Sequence, residues 1–417
     1  MSKLKNALKN NKAATKYIGS GLLKTGLRTI SSIIILRWID PETIGSWHSF
    51  TVFVGYTSLL SLGVTSGLNR ELPYLIGQGE HEKGIQRLKT AGYFSRLLCY
   101  ALVVLAGIAG IVLYFFNILN QAQVIMMVMA FSIGSIGLQT NFLGATFRSN
   151  SSFEKLAKVQ SSIGLLYLLL LPIIYFFGIW GYIFYELTLS ISTFLGYYFF
   201  RPYRVKYSFS WSEFKALVAI GFPMFFWNYL ATMSRSIPKL ILVVFGSPLL
   251  VGLYAPATSI NTAMLNLPLY INRYLFPKLS FLYGKNQDKQ AIYQYTIKSA
   301  RYLLLLMIIV AIGLAALTPL LFKLFFPKYI DSVLATQIIL FSGVFYSVNA
   351  LFHNSLNSLK HFKPFKFIIT LRIVFIIGFA VLFHSLTHDL LIAVALSAAT
   401  SELLNMFNYI YFLRKLR

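Results

Sequence analysis

Apolar residues run through this chain in long unbroken blocks. They do not form the three-to-four-residue stripe of a helix that turns one face to water. About twelve blocks reach spanning length: 17–39, 44–67, 92–116, 122–146, 156–177, 182–200, 216–245, 249–276, 300–320, 333–357, 366–383 and 389–412. A helix of about 20 apolar residues covers the roughly 30 Å hydrocarbon core of a bilayer. Turn-forming residues separate several blocks, among them Asp40-Pro41-Glu42 and Gly178-Ile179-Trp180-Gly181. The pattern predicts an all-α polytopic membrane protein with about twelve transmembrane helices.

The blocks repeat weakly. Asn69-Arg70 matches Asn272-Arg273, Pro73 matches Pro277, Gly79 matches Gly284, and Glu82-Lys83 matches Asp288-Lys289. Upstream, Pro41 to Gly45 matches Pro248 to Gly252, and Ile18-Gly19 matches Ile220-Gly221. The matches keep their order at a nearly constant offset, which predicts two six-helix halves. Residues 1–200 form the first half, 201–215 a basic, aromatic cytoplasmic linker (RPYRVKYSFSWSEFK), and 216–417 the second. Both halves start on the same side of the membrane, so the repeat is parallel, with the substrate site expected in a central cavity.

Composition agrees: 57% of residues are hydrophobic and only 12% charged, against about 25% charged in a soluble domain. The net charge of +25 could suggest nucleic acid, but its distribution argues against that partner. About 27 of the 37 Lys and Arg fall in the segments on the side of the two termini, and about 3 (Arg37, Lys323, Lys328) on the other. This asymmetry predicts both termini in the cytoplasm and an even number of spans. The basic start, MSKLKNALKNNKAATK, is not followed by a short apolar core with a small-residue cleavage site. The single Cys99 excludes an internal disulfide and a cysteine-based metal cluster.

The remaining seven cations lie within or at the ends of the apolar blocks, at a cost of about 3 kcal/mol each near mid-membrane. Lys24 and Arg28 are four apart on one face of the first helix; Arg235 and Lys239 are four apart in the seventh. Such a face is tolerated where it looks into a protein or water-filled interior. Cations there point to an anion such as a phosphate or diphosphate, with Arg as a fork and Lys as a point charge. Snorkelling to the interface is the plain alternative, most of all for Lys24. Arg70 and Arg273 end the second and eighth helices, either as positive-side anchors or as a cytoplasmic gate that attracts anionic head groups. Glu71 is placed to pair with Arg70, and Arg372 reads as an interface anchor. Glu186 and Glu402 are the two carboxylates well inside apolar blocks, each in the last helix of its half. Each is a proton-coupling candidate or the partner of a neighbouring cation.

Pro223 and Pro238, then Pro256, Pro268 and Pro277, punctuate the seventh and eighth helices and predict bends there. Six histidines make no ligand pattern, and His384 and His388 fall in a short outer loop. There is no phosphate loop, zinc motif, nucleophile elbow or dinucleotide fingerprint. An enzyme is therefore not expected, nor a metal, nor a nucleotide-driven pump built from this chain alone.

The opening IGSGLLKTGLRTISSIIILRWIDPETIGSWHSFTVFVGYTSLLSLGVTSGLNRELPYL resembles the O-antigen-type polysaccharide flippases of the multidrug/oligosaccharidyl-lipid/polysaccharide exporter (MOP) superfamily. A helix, an Asp-Pro turn, a glycine and a second helix ending in Gly-Leu-Asn-Arg-Glu carry the resemblance, together with the 6+6 layout. It implies that an undecaprenyl-diphosphate-linked oligosaccharide is flipped from the cytoplasmic to the outer leaflet of the cytoplasmic (inner) membrane. The expected partners are that lipid-linked substrate, membrane lipids, and a polymerase with other assembly proteins. It implies alternating access driven by an ion gradient, protons first, with no other cofactor. The diphosphate would sit by Arg28, Arg235 and Lys239, the sugars in the polar cavity near aromatics such as Tyr56, Trp227 and Tyr229. Two other classes stay open. A MATE-type drug antiporter would want acidic residues in its cavity, and a membrane-embedded polymerase or glycosyltransferase a long outer loop.

Overall fold

The computed structural model describes the backbone of residues 2–150, 152–286, 289–358 and 363–415. It describes side chains for 16, 19–150, 152–223, 225–266, 268, 289–356 and 363–415. The described residues form fourteen α-helices and two short 3-10 turns, with no strand. The helices are α1 (Ser2–Trp38), α2 (Pro41–Thr57), α3 (Val64–Gly77), α4 (His81–Phe115), α5 (Gln121–Ser149), α6 (Phe153–Leu169) and α7 (Leu171–Phe199). They continue with α8 (Trp211–Ser234), α9 (Ile237–Phe245), α10 (Pro248–Asn286), α11 (Lys289–Phe325), α12 (Val333–Ser358), α13 (Lys363–Thr387) and α14 (Leu390–Lys415).

Seven described helices are long and apolar enough to cross a membrane, and two bent pairs bring the number to nine. The expected count of twelve is not reached by that measure, partly because several expected spans are broken. The chain expected to run straight through 44–67 bends by 47° between Pro41–Ser61 and Val64–Gly77. Leu62 and Gly63 are left-handed there, with φ of 49° and 72°, a conformation that ends a helix. The expected turn after 177 is present, at Gly178 with φ 57°. Pro223 marks a second bend of 47°, and α8 and α9 part at Arg235 and Ser236, just before Pro238. Proline cannot donate to the preceding turn, so both breaks follow from sequence. Between α4 and α5, Asn120 and Gln123 form a capping box: each side chain accepts from the other's backbone N–H, at 2.9 and 3.0 Å.

By contact the chain divides into two compact units. Unit 1 holds residues up to Ile39 and Ser46–Tyr229; unit 2 holds Asp40–Gly45 and Leu230–Arg417. This line runs through α2 and α8, not through the 201–215 linker. In unit 1, α1 packs on α6, α4 on α5, and α5 on α7. The linker and first half of α8 belong here for identifiable reasons. Arg87 of α4 is buried and ion-paired to both Glu71 of α3 and Glu213 of α8. Tyr207 stacks edge-on against Phe142. Glu71 therefore pairs with Arg87 and not, as its position suggested, with Arg70.

In unit 2, α12 packs on α10, α11 and α14, and α14 on α13 and α9. The repeated pentapeptides meet each other here. A side-chain carbon on Gly45 would overlap the Pro248 carbonyl, and one on Gly252 would overlap the Pro41 carbonyl. The repeat thus marks a reciprocal backbone contact that only glycine permits. Lys328 also holds Asp40 at 2.8 Å.

Long exposed apolar ladders, such as Leu97, Val104, Ile108 and Ile111 on α4 and Leu305, Ile309 and Ile312 on α11, need lipid to cover them. The chain is a multi-pass membrane protein.

Candidate functional site

Unit 2 contains a cavity of about 360 Å³ that gathers charged residues from α9, α13, α14 and the α8–α9 break. Arg235 sits at the α8–α9 break and Lys239 in the first turns of α9. The break turns backbone away from a continuous helix at membrane depth, which is tolerated where it borders a cavity. Arg235 Nη1 donates to the Tyr346 hydroxyl at 2.6 Å, and its guanidinium lies 5.0 Å from that ring's centroid. Stacking and a single hydrogen bond fix the fork while leaving further N–H groups for a ligand.

The cavity also holds Arg372 of α13 and Glu402 of α14. Arg372 Nη2 donates to Glu402 Oε1, and Asn349 Nδ2 donates to Glu402 Oε2 at 2.8 Å and to its carbonyl at 2.9 Å. Arg372 is therefore not an interface anchor, as its position suggested. It is the counter-ion that lets Glu402 be buried. Three cations against one carboxylate leave the cavity positive. Arg372 Nε, Asn349 Oδ1 and Asn261 Oδ1 are buried with no hydrogen-bond partner among the described residues, so polar groups remain open to water or a ligand.

Unit 1 places Lys24 and Arg28 on α1, against α6 and α7. The backbone at Lys24 packs on Gly164 of α6, where an added side-chain carbon would come within 3.4 Å of the Lys24 Cα. Ser31 Oγ and Tyr185 Oη both donate to the Tyr167 carbonyl, at 2.9 and 3.1 Å, fixing the rotation of α1. Arg28 faces Glu186, Tyr167, Tyr182 and Tyr185 electrostatically. Tyr182 and Tyr185 are stacked at 6.2 Å, and Trp47 meets Tyr182 at 6.3 Å. Arg28 is exposed, and Lys24 and Glu186 are half-buried.

A second cavity, in unit 1 and about 240 Å³, mixes hydroxyls and one amide (Ser58, Ser61, Thr65, Ser95 and Asn141) and Arg148 with apolar side chains such as Phe94, Leu98 and Phe225. Tyr229 donates to the Tyr56 carbonyl at 3.1 Å, and Trp227 packs on Phe226 at 5.4 Å. Both contacts are internal, so these aromatics have packing roles. Arg70 is exposed on α3, beside Asn69, whose Oδ1 accepts from Arg148 Nε at 3.4 Å. The Arg273 side chain lies outside the described residues. His384 and His388 are exposed. Among the described residues no group of three or more His, Cys, Asp or Glu could hold a metal ion.

Sequence reasoning misassigned Arg372 and missed Tyr346 and the Tyr167–Tyr182–Tyr185 cluster. Arg372 carried a signal, as a cation inside an apolar block. The tyrosines carried none, since aromatics at helical spacing are ordinary packing residues.

The architecture is that of a polytopic helical membrane protein. The sequence profile of the family described as polysaccharide biosynthesis protein matches residues 34–334, and the chain belongs to that family. Among solved structures it is similar to a multidrug resistance MATE family transporter of the MOP superfamily in an inward-facing conformation. The two are 15% identical with a TM-score of 0.77 over 97% of this chain and 98% of that one. It is similar to the lipid II flippase MurJ in an inward closed conformation, at 13% identity and a TM-score of 0.75 over 95% and 87%. It is also similar to a MOP superfamily transporter from Pyrococcus furiosus, described as having a binding pocket of reverse polarity. There the identity is 15% and the TM-score 0.66 over 98% and 96%. At these identities the likeness shows the fold, the one shared by MOP superfamily members. A comparison with curated proteins gives no match.

Proposed function

We propose that this protein flips an undecaprenyl-diphosphate-linked oligosaccharide repeat unit from the cytoplasmic to the outer leaflet of the cytoplasmic membrane, for assembly of a surface polysaccharide. The carrying observation is the unit 2 cavity, where Arg235, Lys239 and Arg372 outnumber Glu402 at membrane depth. A diphosphate is the ligand chemistry that such a set recognises. Lys24 and Arg28 supply a second cationic position, in unit 1. Both termini are cytoplasmic, which puts Arg70 and Arg273 at a cytoplasmic gate. An ion gradient drives the cycle, protons being the first candidate, with Glu186 the better placed carboxylate to exchange a proton because no ion pair commits it. Glu402 is the second candidate. The family and the lipid II flippase fold support a lipid-linked substrate. The likeness to a multidrug transporter supports an antiporter, but an excess of cavity cations disfavours cationic drugs.

Reconstitution in liposomes with a fluorescent lipid-linked oligosaccharide and an imposed proton gradient tests this. Wild type is expected to move label to the opposite leaflet, and Arg235→Ala/Lys239→Ala to lose that movement while keeping its fold. Equal transport by the variant would overturn the anion site. Gradient-driven efflux of a cationic drug with no lipid movement would favour the antiporter.

A further inference from the structure

A third cavity lies apart from both cation sites, on unit 1 between α4, α5, α7 and the linker. It encloses about 200 Å³. Its depth is readable from sequence. Arg96 immediately precedes the apolar stretch Leu97–Phe115 of α4, and Arg201 follows α7 after its C-cap, Phe200. Both mark the level where hydrocarbon gives way to head groups.

The charged end of this cavity is built, not merely basic. Arg96 stacks over the Tyr207 ring at 4.8 Å, and Arg201 over the Tyr198 ring at 3.8 Å. Both guanidinium groups act on the Tyr207 hydroxyl. A guanidinium stacked on a ring keeps its in-plane N–H groups free to donate. Arg201 spends one of them on the Tyr198 carbonyl. Burial raises the Tyr207 hydroxyl above its ordinary range against the pull of the two arginines, so it stays a neutral O–H donor. Gln139 lines the cavity, is only 8% exposed, and its Nε2 has no hydrogen-bond partner among the described residues. A buried amide donor without an acceptor is costly in apolar surroundings. The rest of the lining is largely apolar, with Ile136, Leu143 and Phe194, and includes Tyr100, which is 64% exposed.

We propose that this cavity binds an anionic phospholipid of the linker-side leaflet, its phosphate held by Arg96 and Arg201 with Gln139 as an added donor. Its acyl chain lies along the exposed α4 ladder of Leu97, Val104 and Ile108. An ordinary interface anchor needs only to reach head groups. Here Arg96 is oriented at the cavity by the Tyr207 ring, Arg201 just outside the lining by the ring of Tyr198, and a buried donor between them has no partner among the described residues. The proposal does not depend on which substrate the protein moves.

The chain carries its own reporter. Cys99 is its single cysteine and lines this cavity. Purified protein in neutral detergent is labelled with N-ethylmaleimide, with added phosphatidylglycerol, phosphatidylcholine or inorganic phosphate. With phosphatidylglycerol at about ten times its Kd, wild-type labelling is expected to slow about tenfold, as 1 + [L]/Kd requires. Phosphatidylcholine should give little protection. Arg96→Ala and Arg201→Ala should each need about tenfold more lipid for the same protection. Gln139→Leu should need severalfold more, and it tests the site should an arginine variant not fold. Equal protection by the two lipids, or unchanged protection in all three variants, would overturn the proposal. Protection by inorganic phosphate as strong as that by phosphatidylglycerol would reassign the site to a free anion.

Discussion

Each unit sets one carboxylate among cations, and the two carboxylates are held in opposite ways. Glu402 is buried, with 4% of its side chain exposed. Both of its oxygens are committed, one to Arg372 and one to Asn349. Glu186 is half-buried, shares a hydrogen bond with the Tyr182 hydroxyl and faces Arg28 electrostatically, with no ion pair among the described residues. The sequence presents them as equivalents, each the carboxylate of the last helix of its half. The difference lies on neighbouring helices, where α13 supplies a cation that points at Glu402. A carboxylate with both oxygens engaged is a structural member of its site. One that stands off its cation can change protonation without breaking a pair.

The largest effect expected from this contrast is on stability. Arg372→Ala leaves Glu402 buried and uncompensated, which costs about 3–5 kcal/mol. Glu186→Gln leaves no such orphan and should cost under about 1 kcal/mol. Thermal unfolding in detergent, read side by side for the two variants, measures this. Arg372→Met/Glu402→Leu, which removes the pair together, should recover most of the loss. A Glu186→Gln variant as unstable as Arg372→Ala would erase the distinction between the units.

The next effect is on transport. Arg235 and Arg28 both reach open space, but Arg235 is oriented by Tyr346 in a cavity with two further cations. Arg28 shares its surroundings with Glu186 and three tyrosines. Losing a charged hydrogen bond to phosphate is worth about 1.5–3 kcal/mol, or ten- to over a hundredfold. Arg235→Ala is expected near the upper end in the initial rate of flipping at low substrate, and Arg28→Ala near the lower end. The reverse order would move the main diphosphate position to unit 1.

Much of this was legible in the chain. The spans, the turn at Gly178 and the breaks at Pro223 and Pro238 follow from apolar length and from residues that cannot continue a helix. The Pro41–Gly45 and Pro248–Gly252 match was legible as a repeat, and its meaning as a reciprocal contact was not. A sequence shows that glycine recurs, not what lies against it. Glu71 next to Arg70 looked like a pair, yet its partner is Arg87, 16 residues away. Adjacent helical residues diverge by about 100°, so neighbours in sequence rarely face each other. The break at Leu62-Gly63 escaped notice because it falls within an apolar block, where hydropathy is blind to backbone handedness. Arg372 was visible as a cation within or at the end of an apolar block and read as an interface anchor, but its role depends on which helix packs beside it.

The smallest effect separates two contributions of Tyr346, the residue that most distinguishes the setting of Arg235 from that of Arg28. The hydroxyl accepts from Arg235 Nη1 at 2.6 Å, while the ring lies 5.0 Å from the guanidinium. Tyr346→Phe keeps the ring and removes the acceptor. It should weaken apparent substrate affinity by about 1 kcal/mol, roughly fivefold. Tyr346→Leu also removes the aromatic face and should cost about 0.5–1 kcal/mol more. Concentration dependence of flipping for the two variants resolves the steps, and each should vanish in an Arg235→Ala background, because the tyrosine acts only through the arginine. Persistence of either step in that background would mean that Tyr346 contacts the substrate itself, and would make the unit 2 cavity an aromatic sugar site as well as a cationic one.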